Sequence, residues 1–480
     1  MQSIWQLTNN ITPRAPLDGD ISVDTAVIGA GMAGILTAYF LHKSGKDVIV
    51  LEADRIGSGM TGNTTAKITS QHRLIYDQLI QNFGEEKARQ YAQANQSAIQ
   101  QYAQLVKELK IDCDFEQIPA YVYSRANRDS IEKEVQAAQR LDIPAELLVP
   151  SNLPFPVEAA VMFPHQAQFN PIAFLAAVSQ PLTVYEQTFA RAVEGNVITT
   201  NRGRVSAKNI VMATHFPFLN VPGYYFVRMY QQRSYVVALE HAPDLRGMYL
   251  DAAEDGLSFR NYQNLLLLGG SSHRTGKNHL GNCYEKLHRT AAELYPESKV
   301  KYQWSAQDCM SLDQVPYIGK FSNSTPNLFV ATGFNKWGMT SSMAAASILS
   351  QMILKQPCPY QEVFSPQRFS APASAANLVK NTAEAVKGIS SELLKIPEAD
   401  LSKLPLGHGG VVEVNGIKAG VYKDPEGNCF VVSTKCPHLG CMLEWNPDEL
   451  TWDCPCHGSR FDYRGNLIQN PALKGLDKAE

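Results

Sequence analysis

The sequence predicts an α/β dinucleotide-binding domain with an inserted antiparallel sheet, followed by a small all-β domain at the carboxyl end. Three observations predict it: a glycine turn between two apolar runs near residue 30, runs at 256–260 and 264–268 that read as strands of a second sheet, and short turn-bounded strands from Ile396 onward. With 480 residues, 44% hydrophobic and 19% charged, the chain has room for a large first body and a small appended module.

The first element carries the most information. Asp24-Thr-Ala-Val-Ile28 reads as a buried strand, Gly29-Ala-Gly31-Met-Ala-Gly34 as the turn into a helix, and Val48-Ile-Val-Leu51 as the next strand, closed by Glu52. This is a dinucleotide-binding βαβ unit. Gly29 permits the tight turn, Gly31 lets backbone approach a pyrophosphate at the positive helix end, and Gly34 lets helix and strand pack closely. Glu52 can accept from ribose hydroxyls. Beyond it, Arg55-Ile-Gly-Ser-Gly59-Met-Thr61-Gly-Asn-Thr64-Thr65 is small and hydroxyl-rich, suited to wrapping phosphates and a ribityl chain.

Segments 85–110 and 130–141 read as helices, and Lys208–Thr214 and Asn327–Gly333 as strands. A helix then starts near Gly338, with Met339 and Thr340 in its first turn, and ends at Gln356-Pro-Cys-Pro359, where two prolines remove backbone donors. The main domain is therefore set at 1–355. A connector at 356–395 includes a helix-capable stretch at 375–394, and the β domain occupies 396–480, with strands at Gly410–Val414 and Cys429–Ser433.

Within that last domain, Cys436-Pro-His438 is followed, after fifteen intervening residues, by Cys454-Pro-Cys-His457. Two thiolates and two neutral imidazoles on separate loops can hold the two irons of a cluster, and a zinc ion could use the same donors. The other cysteines, Cys113, Cys283, Cys309, Cys358 and Cys429, share no ligand spacing and read as isolated thiols.

The text around the pairs, Cys436-Pro-His-Leu-Gly-Cys441 and Cys454-Pro-Cys-His-Gly-Ser459, resembles the two cluster-binding loops of Rieske proteins residue for residue, which argues against zinc. The resemblance implies one Rieske-type 2Fe-2S cluster on Cys436, His438, Cys454 and His457. It further implies a Cys441–Cys456 disulfide, as in the cytochrome bc-type branch, and a hydrogen bond from Ser459 to a cluster sulfide. Phe461 stands where high-potential members carry a Tyr that donates to a ligand sulfur. Loss of that donor disfavours the more negative, reduced cluster and implies a potential below the respiratory type, though above an all-thiolate cluster. Asn470-Pro-Ala472 resembles the proline loop that covers the cluster; an ordinary surface turn is the alternative.

The glycine unit, the 208–214 strand and the 327–340 strand-to-helix passage resemble the FAD-binding core of the D-amino-acid-oxidase-like flavoproteins, the glycine/sarcosine oxidase group. This implies an FAD-binding domain of the glutathione-reductase/D-amino-acid-oxidase type. FAD would be held by Gly29, Gly31, Gly34, Glu52, Gly59, Thr61, Thr64 and Thr65, by Ala190 near the adenine, and by Gly333, Gly338, Met339 and Thr340, where the last helix points its amino end at the flavin. His215 departs from the Gly that commonly follows the Ala-Thr pair in that family, here Ala213-Thr214. The substrate cavity of that family lies between the inserted sheet and the flavin. Candidates to line it are His72, Arg228, Tyr235, His273, Lys336 and Trp337, with His72, Lys336 and Trp337 the catalytic candidates; packing or capping is the alternative for each.

The whole chain resembles bacterial FAD-dependent oxidoreductases with a carboxyl-terminal Rieske domain. Flavin takes an electron pair and the cluster single electrons, so the expected function is a dehydrogenase of an amine or amino acid that feeds a redox partner protein or a small electron acceptor. Reverse flow, as a reductase, and a redox sensor without turnover are the alternatives. No second glycine fingerprint offers a separate NAD(P)H domain. A net charge of -3 gives no reason to expect nucleic acid, and no run of about eighteen apolar residues could span a bilayer. The start, Met-Gln-Ser-Ile-Trp-Gln-Leu-Thr, lacks a signal-peptide pattern. A cytoplasmic protein is expected, with which a Cys441–Cys456 disulfide sits awkwardly.

Overall fold

Strand Ile21–Ile28 lies at the centre of an eight-stranded sheet because nearly every side chain along its second half is buried, as a strand covered on both faces requires. It pairs in parallel with Arg204–Met212 on one side and Val48–Leu51 on the other, so that Ile28 stands opposite both Met212 and Leu51. Leu328–Thr332 continues the parallel run beyond Arg204–Met212, and Thr183–Tyr185 continues it beyond Val48–Leu51. The carboxyl ends of these strands therefore finish at one level, and the loops that follow them converge there. Helices Met32–Lys43 and Gly338–Ile353 pack together on the sheet and are buried on most of their surfaces.

These coordinates form a computed structural model that describes residues 2–368, 399–400, 404–414 and 417–478. The helix-capable stretch expected at 375–394 lies outside the described residues. Helices expected at 85–110 and 130–141 are found at Glu85–Leu109 and Arg128–Arg140. Within the stretch set as connector, Arg368 is fastened back to the main domain by paired 2.8 Å hydrogen bonds to the buried carboxylate of Asp313.

A nine-stranded, mostly antiparallel sheet is inserted into this frame and includes both expected strands, as Ser258–Tyr262 and Leu265–Arg274. Its long strand Met229–Glu240, next to the sheet's edge, pairs antiparallel with Leu265–Arg274 and with the edge strand Lys299–Ser311. The carboxyl-terminal module holds two four-stranded sheets, one from Ala399–Asp400 to Cys429–Ser433 and one from Glu444–Asn446 to Leu467–Gln469. Trp452 and Phe461, paired across neighbouring strands, fill its core beside the cysteines. Among the described residues, no helix is long and apolar enough to cross a membrane.

The module rests on the nine-stranded sheet. The buried Arg233 of strand Met229–Glu240 forms an ion pair with Glu449, and Gln231 and Arg274 reach carbonyls of the second Cys/His loop.

Two glycines of the first turn are dictated by space. Gly29 has φ +107°, where a side chain is strained, and a Cβ there would meet the Ala213 carbonyl oxygen at 2.5 Å. A Cβ on Gly34 would lie 1.9 Å from the carbonyl oxygen of Gly29, which is backbone and cannot swing away. Gly34→Ala is expected to force helix and turn apart at a cost of about 1–3 kcal/mol or more. Thermal denaturation should show a lowered Tm, and flavin fluorescence should show FAD released from the folded fraction.

Candidate functional site

Above the converging strand ends lies a cavity of about 1120 Å³. One end is formed by Gly29, Gly31 and Glu52, and its wall continues through Gly59, Thr61, Thr64 and Thr65. Ala190 lines the same end, and Gly333, Gly338 and Met339 line the other. Gly34 and Thr340 stand behind the wall: Gly34 packs on the turn, and the buried Thr340 hydroxyl donates to the Thr69 carbonyl at 3.0 Å. The Thr61 hydroxyl accepts from the Met32 N–H at 2.9 Å, which satisfies one orphan donor at the helix start. Burial raises the pKa of Glu52, while its carboxylate accepts from the N–H groups of Ala30 and Asp54. A glycine turn too tight for side chains, hydroxyls along the next loop and an acid at the second strand's end fit an adenine dinucleotide.

The other end is polar and enclosed by the nine-stranded sheet. The Lys336 ammonium donates to the hydroxyls of Ser234 at 3.1 Å and Ser272 at 3.0 Å, on neighbouring strands. Burial lowers its pKa to about 8, and burial raises that of Asp308, also on the cavity wall, to about 6. Lys67 reaches the Ser258 hydroxyl and the Tyr249 carbonyl, and burial lowers it to about 7.

Of the six sequence candidates, Tyr235, Lys336 and Trp337 line the cavity. The other three are placed differently. His72 lies beneath Trp337, its ring stacked on the indole at 4.8 Å, with its nitrogens on the Tyr91 hydroxyl at 2.5 Å and the Thr69 carbonyl at 2.8 Å. Burial lowers its pKa to about 3, so it is a neutral support for the indole rather than a group on the cavity wall. His273 stands 3.2 Å from the Tyr235 hydroxyl, and Arg228 donates to the Pro366 carbonyl at 2.7 Å while stacking on Tyr225 and Tyr317. Sequence reading missed Lys67, Ser234, Ser272 and Asp308. Each sits singly on a strand, where its neighbours in sequence give no hint that strands of one sheet bring them together.

At the seam between the halves, Cys436, Cys454 and His457 are buried. The imidazoles of His438 and His457 stand 4.9 Å apart at 88°, and burial lowers their pKa values to about 4 and about 3, so both are neutral. Their Nδ1 atoms are buried without a hydrogen-bond partner. Cys436 and Cys454 are close enough to share a hydrogen bond, which holds Cys436 down and pushes Cys454 up. Two thiols and two orphaned imidazole nitrogens converging in a buried pocket fit a 2Fe-2S cluster, since uncompensated buried nitrogens are otherwise costly. Cys441 and Cys456 lie at disulfide distance. The hydroxyl of Ser459 accepts from the Ala472 N–H at 3.0 Å, so the Asn470-Pro-Ala472 turn packs over this site; its Asn470 amide donates to the carbonyls of Thr214 and Phe216. The turn is a contact between halves, not an open surface loop.

A dinucleotide cavity roofed by an antiparallel sheet, beside paired Cys/His loops, defines an FAD-dependent oxidoreductase with a Rieske centre. Comparison with known proteins gives the same class. Residues 24–352 match the family model DAO, FAD dependent oxidoreductase, and residues 395–480 match the Rieske [2Fe-2S] domain. The chain belongs to the DAO family of FAD dependent oxidoreductases, and it carries FAD and a 2Fe-2S cluster. It is 36% identical to YhfW of Bacillus subtilis (strain 168), by name a Rieske 2Fe-2S iron-sulfur protein, over 100% of this chain and 97% of that one. Gamma-glutamylputrescine oxidoreductase of Escherichia coli (strain K12) is 22% identical over 72% of this chain and 84% of its own length. The fold resembles glycine oxidase from Geobacillus kaustophilus, with a TM-score of 0.62 at 18% identity, covering 72% of this chain and 99% of that one.

Phe461 is fully buried in the core that holds Cys436 and Cys454. Phe461→Tyr is expected to supply a hydroxyl donor toward the ligand sulfurs and to raise the midpoint potential. One hydrogen bond of about 1–2 kcal/mol corresponds to roughly 40–90 mV for a one-electron couple. Potentiometric titration followed by EPR checks this, and an unchanged potential would show that the hydroxyl finds another partner.

Proposed function

We propose that this chain is a dehydrogenase of an amine or amino acid, in which FAD takes an electron pair from the substrate and the Rieske centre passes it on, one electron at a time, to a redox partner protein or small acceptor. The observation that carries this reading is one cavity whose wall runs from the dinucleotide turn to the Lys336–Asp308 end and includes residues of the cluster module, Glu449 and Asn470 among them. Gly29, Gly31, Thr61, Thr64 and Thr65 would hold the dinucleotide, and the amino end of helix Gly338–Ile353 would face the flavin ring. The named amine substrate of the Escherichia coli relative and the fold likeness to glycine oxidase support the substrate class.

The polar end suits a substrate with both charges of an amino acid. Lys336 and Lys67 hydrogen-bond to hydroxyls and, for Lys67, a backbone carbonyl, rather than to a carboxylate among the described residues. Buried ammonium groups are costly even with Asp308 acting on Lys336 from the same wall, and a substrate carboxylate relieves that cost. Asp308, on the same wall, is the acceptor for a substrate ammonium proton. Trp337, braced by His72, forms an apolar face beside them.

The direct test is anaerobic titration of pure, cluster-loaded protein with a panel of amines and amino acids. Flavin bleaching by one of them, followed by growth of the reduced-cluster EPR signal, supports a dehydrogenase; bleaching by dithionite alone points to a redox sensor.

The pH dependence follows from three groups. Asp308 accepts protons only above about 6, while Lys67 and Lys336 keep their charges only below about 7 and about 8. A bell-shaped kcat/KM profile is expected, rising through about 6 and falling between about 7 and about 8. Lys336→Met should raise KM by roughly 10- to 100-fold, the loss of one buried charge-assisted hydrogen bond, and should leave an alkaline limb set by Lys67 alone. A steady-state pH series on both proteins checks this.

A further inference from the structure

The second Cys/His loop is held by side chains of the nine-stranded sheet through its own backbone. The Arg274 guanidinium donates to the carbonyls of Pro455 at 3.0 Å and Cys456 at 3.1 Å. Gln231 donates its amide to the carbonyl of His457 at 2.7 Å, and Gln307 donates to both the Gln231 amide oxygen at 2.7 Å and the Gly458 carbonyl at 2.8 Å. Four consecutive loop carbonyls are thus taken by three residues on Met229–Glu240, Leu265–Arg274 and Lys299–Ser311, three strands of one sheet.

The fit is close on both sides. Gly458 has φ +80°, and a Cβ there would meet Gln231 at 2.7 Å; a Cβ on Gly276 would meet the Pro455 nitrogen at 2.6 Å. The ligand imidazoles also face the flavin half. His438 Nε2 lies 2.8 Å from the Asn220 side-chain oxygen, and the Phe226 ring stands edge-on to both imidazoles, at 6.4 Å and 5.7 Å. His215, on the cavity wall, lies on the flavin side of Gln231.

We infer that Gln231 and Arg274 are positioning residues that hold the cluster loop in one fixed place beside the flavin cavity, so that the cluster accepts electrons from the FAD of its own chain without the module swinging. The inference rests on the relay proposed above but not on the substrate. Backbone carbonyls gripped by side chains on a continuous sheet leave the loop no low-cost alternative position. The entropy of bringing donor and acceptor together is then lost once, on folding, rather than at every turnover.

The experiment uses the intact holoenzyme. Brief illumination with EDTA reduces the bound flavin photochemically, with EDTA as the electron donor, and cluster reduction is followed afterwards by absorbance and EPR. In the unaltered protein the rate of cluster reduction should not change with protein concentration. In Gln231→Ala/Arg274→Ala it should fall about tenfold or more, the scale of effect that a displacement of about 1 Å produces. FAD content and EPR g-values should stay the same, amide hydrogen exchange at 455–458 should speed up, and Arg274→Lys alone should retain much of the rate.

A cluster-reduction rate proportional to protein concentration would overturn the inference. So would an unchanged rate in the double variant despite accelerated exchange at 455–458. If the double variant loses its cluster, the concentration test on the unaltered protein decides alone. Failure of every amine and amino acid to bleach the flavin would sink the substrate class and leave this result standing.

Discussion

The Arg233–Glu449 ion pair is the contact on which the joining of the two halves depends. Arg233 is buried, Glu449 is 13% exposed at the cavity wall, and Arg460 and Ser305 share the same carboxylate. Burial by itself would push the Glu449 carboxyl up, but Arg233 and Arg460 outweigh it and hold the pKa down to about 2. A buried pair of this kind contributes little net stability, because desolvation offsets most of the attraction. Its effect is on specificity: removing Glu449 strands the buried Arg233 charge, which costs about 3–5 kcal/mol, so alternative placements of the module are strongly disfavoured. Around this pair the weaker contacts can be polar and numerous. Asn278 and the N–H of Cys283 both reach Asp448, one residue away.

Seating the module in one place gives the flavin cavity a wall that the DAO fold alone does not supply. Glu449, Leu450, Ile468 and Asn470 all face the same space as the dinucleotide turn. The residues that serve the cluster and those that bound the flavin cavity are therefore not separate sets. The Asn470 turn shows this most directly. Its amide holds carbonyls just beyond strand Arg204–Met212, while its neighbour Ala472 hydrogen-bonds to Ser459 beside the cluster thiols.

Sequence periodicity and spacing mark the dinucleotide turn, the paired Cys/His loops and the main helices, and resemblance to known families names the cofactors, because those signals are local. Gly29, Gly31 and Gly34 fall within one turn, the Cys/His pairs lie on adjacent loops, and Glu85–Leu109 and Arg128–Arg140 carry helical periodicity within single segments. What the sequence hides is long-range pairing. Gln231 and His457 are 226 positions apart, and Lys336 meets Ser234 across 102. A Gln in a strand has no feature that distinguishes a cluster-loop anchor from a surface residue. His72 shows the same limit from the other side: the sequence leaves it between a cavity-lining group and a packing group, and only the fold shows its ring stacked beneath Trp337.

The two sites also differ in how they treat charge. At the Lys336 end of the cavity, burial brings Lys67 and Lys336 down to about 7 and about 8 and Asp308 up to about 6, so their protonation can change near neutral pH. At the seam, two ion pairs, Arg233 with Glu449 and Arg460 with Asp453, compensate their own charges. The cavity wall thus joins groups whose charge changes near neutral pH to groups whose charge is fixed by pairing.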